Sequence, residues 1–152
     1  MVFVRTQQDD PPRPALLLYV VKQLELATRA QLDALLKPSG VTALQYTALS
    51  VLERRPTMTS ADLARASFVR AQSTADLVGA LERRGLIQRT TDAGNKRRLL
   101  ISLTDEGRRF LAEYDPLVAD LETQMLRHLD EPDREAFRQY LYACREALSE
   151  TA

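Results

Sequence analysis

Between Leu86 and Leu103 the apolar spacing changes from the period of a helix to that of a strand, and this change limits what the chain can fold into. Upstream, apolar residues recur every three or four positions. Leu86-Ile-Gln-Arg-Thr-Thr91 and Arg97-Arg-Leu-Leu-Ile-Ser-Leu103 read as strands instead, the second with Leu99, Ile101 and Leu103 on one face. Asp92-Ala-Gly-Asn95 between them reads as a turn. Beyond Leu103 the helical period returns. The pattern predicts one domain, mainly α, with a small β-hairpin.

The flanking segments fill in the rest. Residues 1–13 are polar and proline-rich and are expected to form a flexible arm. Ala15 to Lys37 carries Leu17, Val20, Leu24, Leu32 and Leu36 at helical spacing, with no Gly or Pro until Pro38-Ser-Gly40. Thr42 is expected to cap a helix from Ala43 to Arg55, and Thr59 or Ser60 a short one to Ala66. A break leads into a helix from about Arg70 to Arg84, closed by Gly85. Thr104 is expected to cap a long helix that bends at Pro116 and continues to Leu129. Asp130-Glu-Pro132 opens the last helix, with Phe137, Tyr140, Leu141, Cys144 and Leu148 on one side. Short helix, turn, longer helix and basic hairpin make a winged helix-turn-helix over 41–103. The long helices, 14–37 and 104–150, carry apolar stripes too extensive for so small a core. They are expected to pair with a second copy, so 14–152 is read as one dimerising domain.

Charge is distributed unevenly. Lys+Arg and Asp+Glu are both 21, yet Arg54 to Arg109 holds twelve bases against six acids, leaving the rest of the chain negative. A basic middle between acidic ends suits a chain that offers one face to a polyanion. A single cysteine and a single histidine exclude an internal disulfide and the usual Cys/His metal sets. No metal or cofactor is expected. Nucleophile-elbow, dinucleotide-binding and zincin motifs are absent from the sequence, so an enzyme is not expected. With no apolar run near the roughly 20 residues of a membrane span, and no signal-like start, the expected location is cytoplasmic.

Val41-Thr-Ala-Leu-Gln-Tyr46, Leu81-Glu-Arg-Arg-Gly-Leu-Ile87, the Arg-rich wing and Leu103-Thr-Asp-Glu-Gly107 occur in an order that resembles the MarR family of bacterial transcriptional regulators. The resemblance covers about residues 15–150. It implies a homodimer joined through its terminal helices, a pseudo-palindromic double-stranded DNA site, repression more often than activation, and release by a small phenolic or aromatic-acid effector.

Candidate contacts follow from the helix period. With Leu77, Val78 and Leu81 buried, Gln72, Ala75, Asp76, Gly79 and Arg83 face outward, Ser73 lies on the flank, and Thr74 falls inward. Gln72 and Ser73 suit base edges and Ala75 a thymine methyl, while Arg70, Arg83 and Arg84 suit phosphates. Asp76 is a departure. It repels phosphate, yet can accept from a cytosine amino group or hold Arg83. Lys96, Arg97 and Arg98 at the hairpin tip suit a narrow minor groove. The family wing commonly carries Asp-x-Arg, and Asn95 and Arg97 stand at those positions, leaving the guanidinium without a charged partner. Leu17, Tyr19 and Leu24 on the first helix, Tyr46 on the second, and Phe110 and Tyr114 on the long one are the candidate effector contacts, weighed against plain packing roles. Cys144 is expected to be a packed, inert thiol. The competing interpretation is a winged-helix protein-interaction module with weakened DNA binding.

Overall fold

The computed structural model describes residues 13–67 and 71–149, with Ala71 and Gln72 described by their backbone. The expected arm lies outside the described residues except for Arg13. The order is α1 (Leu17–Leu36), a 3-10 turn (Lys37–Ser39), α2 (Ala43–Arg54), α3 (Ser60–Ser67), α4 (Ala71–Arg83), β1 (Ile87–Asp92), β2 (Asn95–Leu103), α5 (Asp105–Met125) and α6 (Glu131–Ser149). This is a winged helix set between long helices. α5 runs through Pro116 and ends four residues short of Leu129.

Local chemistry sets the helix starts. Thr42 accepts from the Gln45 N–H at 3.2 Å while the Gln45 side chain accepts from the Thr42 N–H at 3.1 Å, a reciprocal cap of about 1 kcal/mol. Asp33 of α1 adds a third acceptor, 2.7 Å from the Ala43 N–H, which fixes the start of α2 against α1. Thr59 caps α3 by the same exchange with Asp62. These bonds, Thr59's hydroxyl first, hold the exposed Asp62 carboxyl below its ordinary pKa. Asp130 caps α6 through the Asp133 N–H at 2.9 Å.

The core gathers Leu49 and Leu52 of α2, Leu63 of α3, Leu81 of α4, Ile101 of β2 and Leu111 of α5, all essentially inaccessible. Truncating any of these to Ala is worth about 2–5 kcal/mol. β1 and β2 pair antiparallel, Ile87 opposite Leu103 and Thr91 opposite Leu99. Met58 adds a bridge on the other edge of β2, exchanging both backbone bonds with Ile101. Ile101 and Leu103 are buried as their alternation predicts. Leu99 is 49% exposed, because the hairpin has by then run past the core it lies on.

A tight junction joins wing, α4 and α5. Gly85 closes α4 at φ +73°, conformational space that favours glycine. Thr104 then donates its hydroxyl to the Gly85 carbonyl at 2.6 Å, its N–H to the Leu86 carbonyl at 3.2 Å, and accepts from the Gly107 N–H at 3.0 Å. A Cβ on Gly107 would stand 2.1 Å from the Leu86 carbonyl oxygen.

The last helix is different. α1 packs on α2 and α5, and α2 on α3 and α5, whereas α6 packs lengthwise on no other element among the described residues. It is tied at its corner with α5, where Arg134 donates to the Leu129 and Leu126 carbonyls at 2.9 and 3.3 Å. Tyr140, Leu141, Tyr142 and Leu148 are exposed, as are Leu17 to Val21 on α1. Cys144 is exposed with them, contrary to the packed thiol expected, because among the described residues no other element packs lengthwise on the helix that holds it.

Gly107→Ala is expected to destabilise the chain by about 3 kcal/mol, since the clash is with backbone and cannot be relieved by a rotamer change. Urea unfolding measures it, and a loss below about 0.5 kcal/mol would show that the start of α5 yields freely.

Candidate DNA-binding face and effector cavity

Helix α4 presents the face that its period predicts. Leu77, Val78, Leu81 and Thr74 are buried; Ser73, Ala75, Asp76 and Arg83 are exposed. Gln72 is on the helix, its side chain outside the described set, and Arg70 lies outside the described residues. Gly79 is half-buried, and a Cβ there would stand 3.2 Å from the Arg83 guanidinium, which folds back one turn along the helix. The bare backbone at Gly79 thus makes room for Arg83.

The twelve bases of the middle segment do not all remain available. Arg84 turns from the candidate phosphate face and donates to the Ser39 and Gly40 carbonyls, clasping the turn after α1. A side chain at Gly40 would meet that guanidinium at 2.9 Å, and its φ of +73° disfavours one in any case. Arg89 pairs with Glu82 at 2.8 Å, linking β1 to α4. Arg65 pairs with Asp62, Arg108 with Asp105 and Arg109 with Glu106. The bond to Glu106 raises the pKa of the Arg109 guanidinium. Exposed pairs like these add at most about 1 kcal/mol of stability, but they neutralise the cations concerned.

The wing keeps its charge. Thr91 pairs with Leu99 and Asp92 with Asn95, so Lys96, Arg97 and Arg98 bulge from β2 with no residue opposite them. All three are exposed, and none has a carboxylate within 4 Å among the described residues. Asp92 accepts from the Gly94 N–H at 2.9 Å, and Asn95 accepts from the Arg97 N–H at 3.1 Å. Asn95 therefore orders the backbone under Arg97 rather than its guanidinium, a task that needs an oxygen and no charge. Asp76 likewise has no ion pair among the described residues and does not hold Arg83.

A second feature lies between α1, α2 and α5, a cavity of about 690 Å³. Leu24, Leu32, Val118 and Leu121 give it apolar walls, and Arg127 and His128 stand at its edge with Arg127 Nε 3.1 Å from His128 Nε2. Tyr46 and Asp115 line it, the Tyr46 hydroxyl donating to the Asp115 carboxylate. Burial, and then the bond to Asp115, push the Tyr46 phenol well above its ordinary pKa. Of the candidate effector contacts Leu24 and Tyr46 line this cavity, and Leu17 is exposed. Tyr19 is 58% exposed nearer the start of α1. Phe110 and Tyr114 stack on each other at 4.7 Å and pack against the core. Asp115 was not among the candidates, although it lies four residues after the buried Leu111 and so on the inward stripe of α5.

A raised phenol pKa favours the folded state while the phenol stays protonated. That contribution is complete below the unfolded tyrosine value of about 10 and is lost as pH rises beyond it. Tyr46→Phe is expected to remove a phenolate absorbance component titrating well above the ordinary tyrosine range. Survival of that component in Tyr46→Phe would assign it to another tyrosine.

Residues 39–98 match the family model described as the MarR family. The HTH-type transcriptional repressor Rv2887 of Mycobacterium tuberculosis is 28% identical over 133 residues, spanning 88% of this chain and 93% of that protein. The transcriptional repressor CouR, solved bound to a 23-mer DNA duplex, matches 86% of this chain and 92% of its own at 27% identity, with a TM-score of 0.79. MepR of S. aureus, solved in a DNA-binding conformation, matches in fold over 88% of this chain and 99% of its own, with 24% identity and a TM-score of 0.80. With its exposed second helix and basic wing, the chain is similar to the MarR family of winged helix-turn-helix transcriptional regulators, the likeness to the family model covering residues 39–98.

Proposed function

We propose that the chain acts as a homodimeric repressor on a pseudo-palindromic DNA site and is released by a small aromatic or phenolic ligand. The observation that carries the DNA reading is the set of wing cations, Lys96, Arg97 and Arg98, left without carboxylate partners beside a helix whose exposed face is Ser73, Ala75, Asp76 and Arg83. Arg97 enters the minor groove in this scheme, Ser73 and Ala75 meet base edges with Gln72, and Arg83 joins Arg70 on phosphates. Asp76 selects for a cytosine amino group and against misplaced phosphate. The name of the CouR complex, a repressor on duplex DNA, supports this assignment.

Exposed apolar residues of α1 and α6, Leu17, Val21, Tyr140 and Leu141 among them, support the dimer, since a second copy covers them at far lower cost than water does. Two α4 helices then enter successive major grooves about 34 Å apart. A ligand in the cavity beside Tyr46 and Asp115 wedges between α2 of the lobe and the α1–α5 pair, changing that spacing and favouring the unbound state. Its aromatic ring lies on the apolar walls and its polar group meets Tyr46 or the Arg127–His128 edge.

Fluorescence anisotropy against the DNA upstream of the chain's own gene, at several salt concentrations, tests the proposal. Wild type is expected to bind at nanomolar concentration, and Arg97→Ala to lower the salt slope by about one unit. Weak binding that is equal on unrelated DNA and unchanged in Arg97→Ala would favour the protein-interaction module, with Asp76 as its first cause. A folded monomer at micromolar concentration would overturn the dimer.

A further inference from the structure

Arg54 and Arg55 belong to the basic segment, yet neither the wing nor the exposed face of α4 uses them. The end of α2, the last turn of α3 and the end of α6 surround a cleft of about 500 Å³ lined by Arg54, Arg55, Arg65 and Arg145. Four guanidinium groups around one cleft repel one another, and among the described residues one ion pair offsets them. Asp62 pairs with Arg65 at 2.5 Å. Arg145 lies over the Tyr142 ring, 5.0 Å from its centroid. Among the described residues no carboxylate comes within 4 Å of Arg54, Arg55 or Arg145. Helix dipoles account for a base in the last turn of α2 and of α3. They do not account for Arg145, which comes to the same cleft from a helix that packs lengthwise on no other element among the described residues.

We propose that this cleft binds a phosphate-bearing anion, and that the bound anion fastens α6 to the DNA-binding lobe. Guanidinium forks match phosphate oxygens two at a time, and an anion shared by groups from α2, α3 and α6 exchanges their mutual repulsion for attraction to a common centre. Three cations without carboxylate partners suit a group of more than one negative charge, and the cleft has the size of ordinary small-ligand sites. The same chemistry is offered by a free di- or polyphosphate and by the backbone of DNA flanking the recognised site. Occupancy stiffens the joint between α6 and the lobe, a place separate from the Tyr46 cavity.

Calorimetric titration of the full chain with sodium pyrophosphate, against sodium chloride at matched ionic strength, measures the site without DNA. Wild type is expected to bind pyrophosphate and to gain thermal stability from it. Arg145→Gln and Arg54→Gln each bind about tenfold more weakly, the loss of one charge-assisted contact, and Arg145→Lys falls between. Thermal unfolding in chloride alone serves as the folding control, and these exposed substitutions leave it unchanged. In a second arm, Arg145→Gln is compared with wild type on a short upstream duplex and on one extended at both ends. A salt slope lowered by about one unit on the longer duplex only assigns the phosphate to DNA. Equal slopes together with weakened pyrophosphate binding assign it to a free anion. Pyrophosphate acting no differently from chloride, with Arg145→Gln matching wild type on both duplexes, overturns the proposal. The first arm contains no DNA, so its result stands apart from whether the chain is a repressor.

Discussion

Thr104 is where three parts of the chain become one. Its hydroxyl and N–H engage the Gly85 and Leu86 carbonyls at the end of α4, and its oxygen receives the N–H of Gly107 at the start of α5. The end of α4, the root of the wing and the long helix leaving the lobe therefore share one set of bonds. Gly107 permits it, since only a residue without Cβ lets the Leu86 carbonyl approach so closely. The angle between DNA-reading surface and long helix is thereby a property of backbone contacts. Leu81, Ile101 and Leu111 are buried in the core to which the junction is attached, while the Thr104–Gly85 bond itself stays at the surface.

Most of this architecture is legible in the sequence because it is local. Thr42, Thr104 and Gly85 announce helix ends through bonds to residues three or four positions away, and the observed elements begin and end within a few residues of those signals. The two-residue alternation announces the hairpin. What sequence does not contain is how far an element extends past its support. Leu99 has the same spacing as Ile101 and Leu103 and yet is half in water, because the wing outruns the core. Met58 joins the sheet as a single residue between Pro56 and the start of α3, too short a stretch to carry any period.

The site divides along the same line. Orientation of residues on α4 follows from helix geometry, and Thr74 faces inward as expected. Which cation is spent and which is available depends on distant chain. Arg83 and Arg84 are neighbours in sequence, but one stays on the exposed face and the other reaches a turn more than forty residues back. Tyr46 and Asp115, sixty-nine positions apart, meet only after α2 and α5 have packed. Asn95 shows the reverse case. Its neutral side chain looked like a loss at a position where a carboxylate is usual in the family. Its bond to the Arg97 N–H serves the backbone, for which an amide oxygen suffices.

The Arg84 clasp turns α4 into a lever with its pivot at one end. Ser73 is ten residues from Arg83, roughly 15 Å along the helix axis. A rotation of about 5° at the clasp carries Ser73 sideways by about 1.3 Å, enough to take a donor out of hydrogen-bonding range of a base edge. A shift of the Ser39–Gly40 turn at the end of α1 is thus felt directly by the last turn of α4.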